Sequence, residues 1–152
     1  MNAPRLRDCA ASDRAACVAL FESNVPEYFA AHELADFLDT LDWIEDYYVI
    51  ELDGEGVVAC GGYAGAKADP SVAVLCWGMV RRDLHRGGLG ERLLSERLRR
   101  IDADPAFASV KIETTPFSRD FFARYGFVVT RVQPDGFAPG YDLVEMCRTV
   151  PR

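Results

Sequence analysis

The sequence predicts a mixed α/β (α+β) fold, a mostly antiparallel central sheet of about six to seven strands flanked by about four helices. Three observations carry this. The apolar pattern changes from a helical period to strand-like runs near Tyr47. A meander of strands then leads into one strand–helix–strand crossover. The order β-α-α-β-β-β-α-β-α-β-β lacks the regular alternation of a doubly wound fold. The 152 residues suit one domain spanning residues 1–152, with no repeat, linker or low-complexity tract to divide them.

Taken in order, Arg5 to Asp8 reads as a short first strand. Ser12 or Asp13 caps a helix that brings Cys17, Leu20 and Phe21 to one face. A second helix follows Pro26, with Leu34, Phe37, Leu38 and Leu41 as an apolar stripe at helical spacing. Tyr47 to Leu52 and Val57 to Ala64 form a hairpin about Asp53-Gly54-Glu55-Gly56. Val72 to Val80 is a long apolar strand. A helix from about Gly88 to Ala103 turns Leu94, Leu98 and Ile101 inward, and Asp104-Pro105 ends it. Ser109 to Thr114 is a strand, and Ser118 caps a short helix closed at Gly126. Phe127 to Val132 and Asp142 to Thr149 read as the last two strands.

Composition narrows the function. A net charge of −7 disfavours a nucleic-acid partner, which needs a basic face. An acidic surface suits a cationic amine, although solubility alone also accounts for it. No apolar run reaches the roughly 18 residues of a membrane span, so no membrane partner is expected. Met1 to Arg7 has neither the basic start nor the apolar stretch of a signal peptide, which points to the cytoplasm. Five scattered cysteines without a C-x-x-C pair fit neither a disulfide framework nor a zinc site, and each reads as a small buried hydrophobe. With two histidines, His32 and His85, no His-rich metal cluster can form.

The chemical signal lies after the fourth predicted strand, in His85-Arg86-Gly87-Gly88-Leu89-Gly90. Glycines let a backbone approach an anion closely, and a helix starting there offers free N–H groups and a favourable dipole. Arg86 and Arg92 add charge for phosphate oxygens. A nucleotide P-loop would need Lys-Ser/Thr after the last glycine, where Glu91-Arg92 stand. The dinucleotide fingerprint would need a glycine at Leu93.

The loop resembles the signature of the GCN5-related N-acetyltransferase (GNAT) superfamily, Gln/Arg-x-x-Gly-x-Gly/Ala after the fourth strand. His85, Gly88 and Gly90 fall on the spaced positions, with His85 in place of Gln or Arg. A second block, Phe121-Phe122-Ala123-Arg124-Tyr125-Gly126-Phe127, resembles the family's Tyr-x-x-x-Gly-Phe. The resemblance covers about Arg5 to Thr149. It implies an acyl-CoA N-acyltransferase fold in which strands four and five splay apart to admit pantetheine. It also implies acetyl-CoA as co-substrate without a metal, a small-molecule amine acceptor, and a homodimer as is common in the family. The implied cofactor residues are Met79, Val80, His85, Arg86, Gly87, Gly88, Leu89, Gly90, Glu91 and Phe122. An N–H near Val80 would polarise the thioester carbonyl.

The acid and base stay open. The family's usual tyrosine acid falls on Phe122, which has no hydroxyl, and Tyr125 is the nearby substitute. A thiol of pKa near 8.5 leaves as thiolate at neutral pH for roughly 2 kcal/mol, so the loss slows transfer without forbidding it. Base candidates are Glu33 and Glu113, with Glu27 and Asp36 as further acids near the second helix. Tyr28, Phe29 and Trp77 are candidate walls of the acceptor pocket. Cys76 lies on the same strand, but no histidine stands nearby to activate it. A fragment Glu113-Thr114-Thr115-Pro116-Phe117-Ser118 resembles the acetyltransferase domain of amino-acid acetylating enzymes such as N-acetylglutamate synthase, a resemblance that implies an amino-acid-like acceptor. The competing reading is a non-catalytic acyl-CoA-binding sensor, which the missing tyrosine and the acid-free fourth strand keep open.

Overall fold

The computed structural model describes residues 3–152. Seven strands and four α-helices follow the predicted order, with hydrogen-bonded strand order β1-β2-β3-β4-β5-β7-β6. The strands are β1 (Arg5–Asp8), β2 (Asp46–Leu52), β3 (Gly56–Gly65), β4 (Val72–Val80), β5 (Ser109–Thr114), β6 (Val128–Ala138) and β7 (Tyr141–Thr149). The helices are α1 (Arg14–Ser23), α2 (Leu34–Trp43), α3 (Leu89–Ala103) and α4 (Arg119–Ala123). The β4–β5 pair is parallel, while β1–β2, β2–β3, β5–β7 and β6–β7 are antiparallel. Two compact units share β4 and α3.

The first unit holds the described residues up to Ala64 together with Cys76–Arg99. Its apolar core joins Cys17, Leu20 and Phe21 of α1 and Phe37 of α2 to Tyr47, Val49, Cys60 and Met79 of the strands. Phe21 and Phe37 stack at 5.8 Å between centroids. The start of α1 is tied to β1 by Arg7, whose guanidinium makes two hydrogen bonds to Asp13, at 2.8 and 3.0 Å. Asp13 also accepts the Ala10 N–H, so this predicted cap acts on the single 3₁₀ turn ahead of the helix.

The second unit holds Gly65–Leu75 and Arg100–Arg152. Here the start of β4 meets β5, with Val72 opposite Ser109, Ala73 opposite Val110 and Val74 opposite Lys111. The ladder ends after those three pairs, which is the parting of strands four and five that the resemblance implies. Phe122 of α4 is buried and meets Phe127 edge-on at 5.6 Å. Gly126 ends the helical segment at φ +90°, as its position predicts.

Four details differ from the sequence reading. The second helix does not follow Pro26 directly. Tyr28 and Phe29 N–H groups turn back to the Asn24 carbonyl, and α2 begins at Leu34 after one 3₁₀ turn. Ser118 stands before α4 but makes no side-chain cap. The sixth strand runs on to Ala138 through Pro134 and Gly136; as the edge strand it tolerates a proline, because one side of its backbone needs no partner. Only Cys17 and Cys60 are fully buried; Cys9, Cys76 and Cys147 are half-buried.

Candidate active site

Strand β4 is regular until Trp77, whose φ of +45° puts a bulky aromatic in the left-handed region. Such a conformation is costly for a non-glycine residue and persists only where its surroundings enforce it. Here both ends of the residue are held. The buried Tyr47 hydroxyl donates to the Trp77 carbonyl at 2.7 Å, with Cys60 Sγ 3.2 Å away. The indole Nε1 donates to Thr40 Oγ1 at 3.1 Å. The ring sits among Phe21, Phe29 and Phe37 at centroid distances of 6.2, 5.8 and 5.3 Å.

The kink sets the direction of the backbone after it. Arg81 N–H bonds the Val58 carbonyl of β3. By strand alternation Met79 also faces β3, while Gly78 and Val80 turn their amides away from it. Gly78 is exposed in mid-strand. The Val80 carbonyl accepts two side-chain bonds, from Asn24 Nδ2 at 3.0 Å and His85 Nε2 at 2.9 Å. The bond to a carbonyl makes His85 Nε2 the protonated nitrogen. The His85 side chain thus has a local role beyond its backbone N–H.

A 3₁₀ turn at Arg82–Leu84 carries the chain into the glycine loop. Arg86 has φ +67° and Gly88 φ +88°. The first helical bond of α3 runs from Arg92 N–H to the Gly88 carbonyl. The amides just ahead of Arg92 therefore have no intrahelical acceptor, as at any helix start. Arg86, Gly87, Gly88, Glu91 and Arg92 are exposed, while Leu89 is buried as the anchor of the turn. A diphosphate fits such a cradle of glycines, free amides and positive dipole.

Residues 19–150 match the family model described as Acetyltransferase (GNAT) domain. The chain belongs to the GNAT acetyltransferase family. No curated protein matches it. Among solved structures, this GNAT domain is similar to Ard1 from Thermoplasma volcanium, with TM-score 0.79, 21% identity and 99% of each chain covered. It is also similar to yncA from Salmonella typhimurium, solved with acetyl-CoA, with TM-score 0.74, 18% identity, and 99% of this chain and 95% of the other covered. A third likeness is to N-acetylglutamate synthase from Neisseria gonorrhoeae, complexed with coenzyme A and N-acetyl-glutamate. There the TM-score is 0.71 at 16% identity, over 99% of this chain and 36% of the other. At these identities the likenesses establish the fold.

Within the first unit of this GNAT domain several predicted residues meet. Phe29 and Trp77 share the aromatic cluster. Tyr28 instead lies edge-on to His85 at 5.0 Å and beneath Arg82 at 5.3 Å, while Arg82 pairs with Glu27 at 2.7 Å. These contacts tie the segment after α1 to the approach of the glycine loop. Glu33 is buried, and its Oε2 accepts the Ala30 N–H at 2.8 Å. Burial pushes its carboxyl above the ordinary range, partly offset by that bond. Met79 is buried in the core. Burial raises the Cys76 thiol to about 11, which keeps it protonated and removes it as a nucleophile at neutral pH.

In the second unit, Glu113 of β5 is exposed and faces Arg131 at 3.7 Å, with Glu145 directly opposite on β7. Tyr125 packs against Phe121 at 5.5 Å. Among the described residues no group of His, Cys, Asp or Glu side chains could hold a metal ion, and no helix is long and apolar enough to cross a membrane.

Sequence reasoning misses two residues. Trp77 carries no local sign of a left-handed backbone. Arg97 carries one: it lies four residues after Leu93 and three after Leu94, on the inward face of α3. It is 3% exposed, and its guanidinium packs where side chains on Gly61 and Gly78 would stand.

Proposed function

We propose that this protein transfers the acetyl group of acetyl-CoA to a primary amine of a small, amino-acid-like acceptor in a ternary complex. The observation that carries this is the locked kink at Trp77, which turns the Gly78 and Val80 amides away from β3 just ahead of the glycine loop. In this reading the amides from Arg86 to Glu91 hold the pyrophosphate, with Arg86 and Arg92 as charge partners. The Val80 N–H bonds the pantetheine, and the Gly78 N–H polarises the thioester oxygen.

The neutral amine attacks the carbonyl carbon. The C–N bond forms, the C–S bond breaks, and sulfur leaves with the bonding pair as CoA thiolate. The proton lost by the amine goes to Glu33, directly or through water. Of the four acids considered, Glu27 and Glu113 are exposed and ion-paired, and Asp36 is exposed. Glu33 alone is buried, and desolvation raises its carboxyl, which strengthens it as a proton acceptor. The aromatic faces of Phe29 and Trp77 supply an apolar wall for the acceptor, and the net charge of −7 favours approach of a cationic amine.

The experiment is release of free CoA thiol from acetyl-CoA with a panel of amino acids and polyamines. Turnover with one amine supports the transferase. Saturable acetyl-CoA binding with no turnover across the panel contradicts it and supports a sensor, for which a hydroxyl at Phe122 has no purpose.

A further inference from the structure

The first unit buries a cation, Arg97, that the steps above leave unused. Arg97 sits on the inward stripe of α3 with Leu93, Leu94, Leu98 and Ile101, all of them buried. Its bonds are few and long, Nε to the Leu93 carbonyl at 3.4 Å and Nη1 to the Gly62 carbonyl at 3.3 Å. Among the described residues no carboxylate pairs with it. The titratable groups that face it are Tyr47 of β2, Cys60 of β3 and Cys76 of β4, and burial pushes Tyr47 and Cys76 toward their neutral forms. Desolvation pulls the guanidinium down to about 10, so it stays charged at neutral pH. A buried cation without a counter-ion is costly, and an apolar side chain of similar size would normally serve the fold better.

The space for this charge is made by two glycines. A Cβ on Gly78 would stand 2.9 Å from Nη2 and 3.2 Å from Nη1, and one on Gly61 would stand 3.3 Å from Cζ. The cation therefore lies directly under the exposed backbone of Gly78. Positive charge fixed in a dry environment acts strongly on negative charge that develops nearby.

We propose that Arg97 is an electrostatic positioning residue, supplying the positive potential beneath Gly78 that stabilises the CoA sulfur as it becomes a thiolate. This rests on the reading that places the thioester at the Gly78 amide. The electron pair of the C–S bond goes to sulfur, and the sulfur keeps it without taking a proton from the protein. Arg97 keeps its proton throughout. A purely structural arginine, present to satisfy the Gly62 carbonyl, would have no influence on how the thiol ionises.

The test compares the affinity of CoA with that of desulfo-CoA from pH 6 to 9.5, in the wild type, Arg97→Met and Arg97→Lys. A free thiol has a pKa near 8.5. Lowering it by one unit on binding makes CoA tighten against desulfo-CoA nearly tenfold across that range. That rise is expected in the wild type, at least in part in Arg97→Lys, and not in Arg97→Met. With a reactive amine, Arg97→Met should lose about 10- to 100-fold in kcat with KM for acetyl-CoA held. A wild-type ratio that ignores pH overturns the proposal, as does an identical rise in Arg97→Met. If neither CoA nor desulfo-CoA binds the wild type, the cofactor reading itself has failed and the proposal falls with it. Desulfo-CoA binding with a flat ratio leaves that reading intact and removes only Arg97.

Discussion

Replacing Tyr47 by phenylalanine removes one buried oxygen and tests whether the Trp77 kink is enforced. The hydroxyl is buried and donates to the Trp77 carbonyl at 2.7 Å. Burial holds it well above its ordinary pKa, so it remains a donor at neutral pH. Its loss leaves a buried carbonyl without that partner, which costs about 1–3 kcal/mol. The left-handed Trp77 itself stores roughly 1–3 kcal/mol that the lock no longer opposes. A domain of this length loses about 2–4 °C in Tm per kcal/mol, so the expected fall is on the order of 2–12 °C. The functional effect should be larger than the stability effect. If the kink relaxes, the Gly78 amide swings from its aim. Losing an oxyanion donor outright costs about 10²–10³ in kcat, so partial misalignment should cost at least ~10-fold. The assay is a melt beside initial rates at saturating acetyl-CoA. A Tyr47→Phe protein with unchanged Tm and unchanged kcat refutes the idea that this bond sets the geometry of β4.

Further outcomes follow from the same structure. Gly88 and Gly140 have φ values of +88° and +83° with open space where a Cβ would stand, so alanine at either costs about 1–2 kcal/mol of backbone strain. Only Gly88→Ala should also raise KM for acetyl-CoA, by about tenfold or more, and parallel titrations of the two variants decide it. A Cβ on Gly62 would stand 2.1 Å from the Asp46 carbonyl and 2.9 Å from Tyr47 Cα, both backbone atoms, so Gly62→Ala should yield little folded protein on expression, as read by soluble yield and circular dichroism. The Arg7 hydrogen bonds hold Asp13 below the ordinary carboxylate value of 3.8. A depressed carboxyl contributes stability above that value and loses it as pH falls through the folded pKa, so acid should selectively erode the wild type relative to Asp13→Asn. Melts at pH 7 and pH 3 measure the difference, and equal acid sensitivity of the two proteins counts against the pair. If Glu33 is the base, kcat/KM falls as pH drops through its raised carboxyl pKa, and Glu33→Gln loses both that limb and about 10²–10⁴-fold in rate.

Much of this can be read from residues alone because the governing signals are local. The hairpin at Gly54 and Gly56, the crossover after Val80 and the stop at Gly126 each follow from a turn or period that a few neighbours dictate. Strand β6 outruns its sequence signal for a complementary reason. Pro134 and Gly136 are strand-ending signals, and only the edge position, a matter of topology, makes them tolerable. The glycine loop is legible since backbone approach to an anion demands particular residues at fixed spacing. The geometry behind it is not. The kink at Trp77 depends on Tyr47 and Thr40, 30 and 37 residues away in sequence, and no property of tryptophan announces a positive φ. Arg97 is half legible: its place on the α3 stripe points inward, but charged residues so rarely lie buried that the apolar members alone define the stripe. The two strand glycines that make its space, Gly61 and Gly78, acquire meaning only together.

The most direct test of the central claim is a thermal-shift titration with acetyl-CoA, NADH and ATP side by side. At about 100 times the dissociation constant, specific binding should add roughly 2.7 kcal/mol, or on the order of 5–10 °C. A shift with acetyl-CoA alone, cut by about half or more in Gly88→Ala at the same concentration, is what the account predicts. No shift with acetyl-CoA, beside a clear one with either nucleotide, would contradict it.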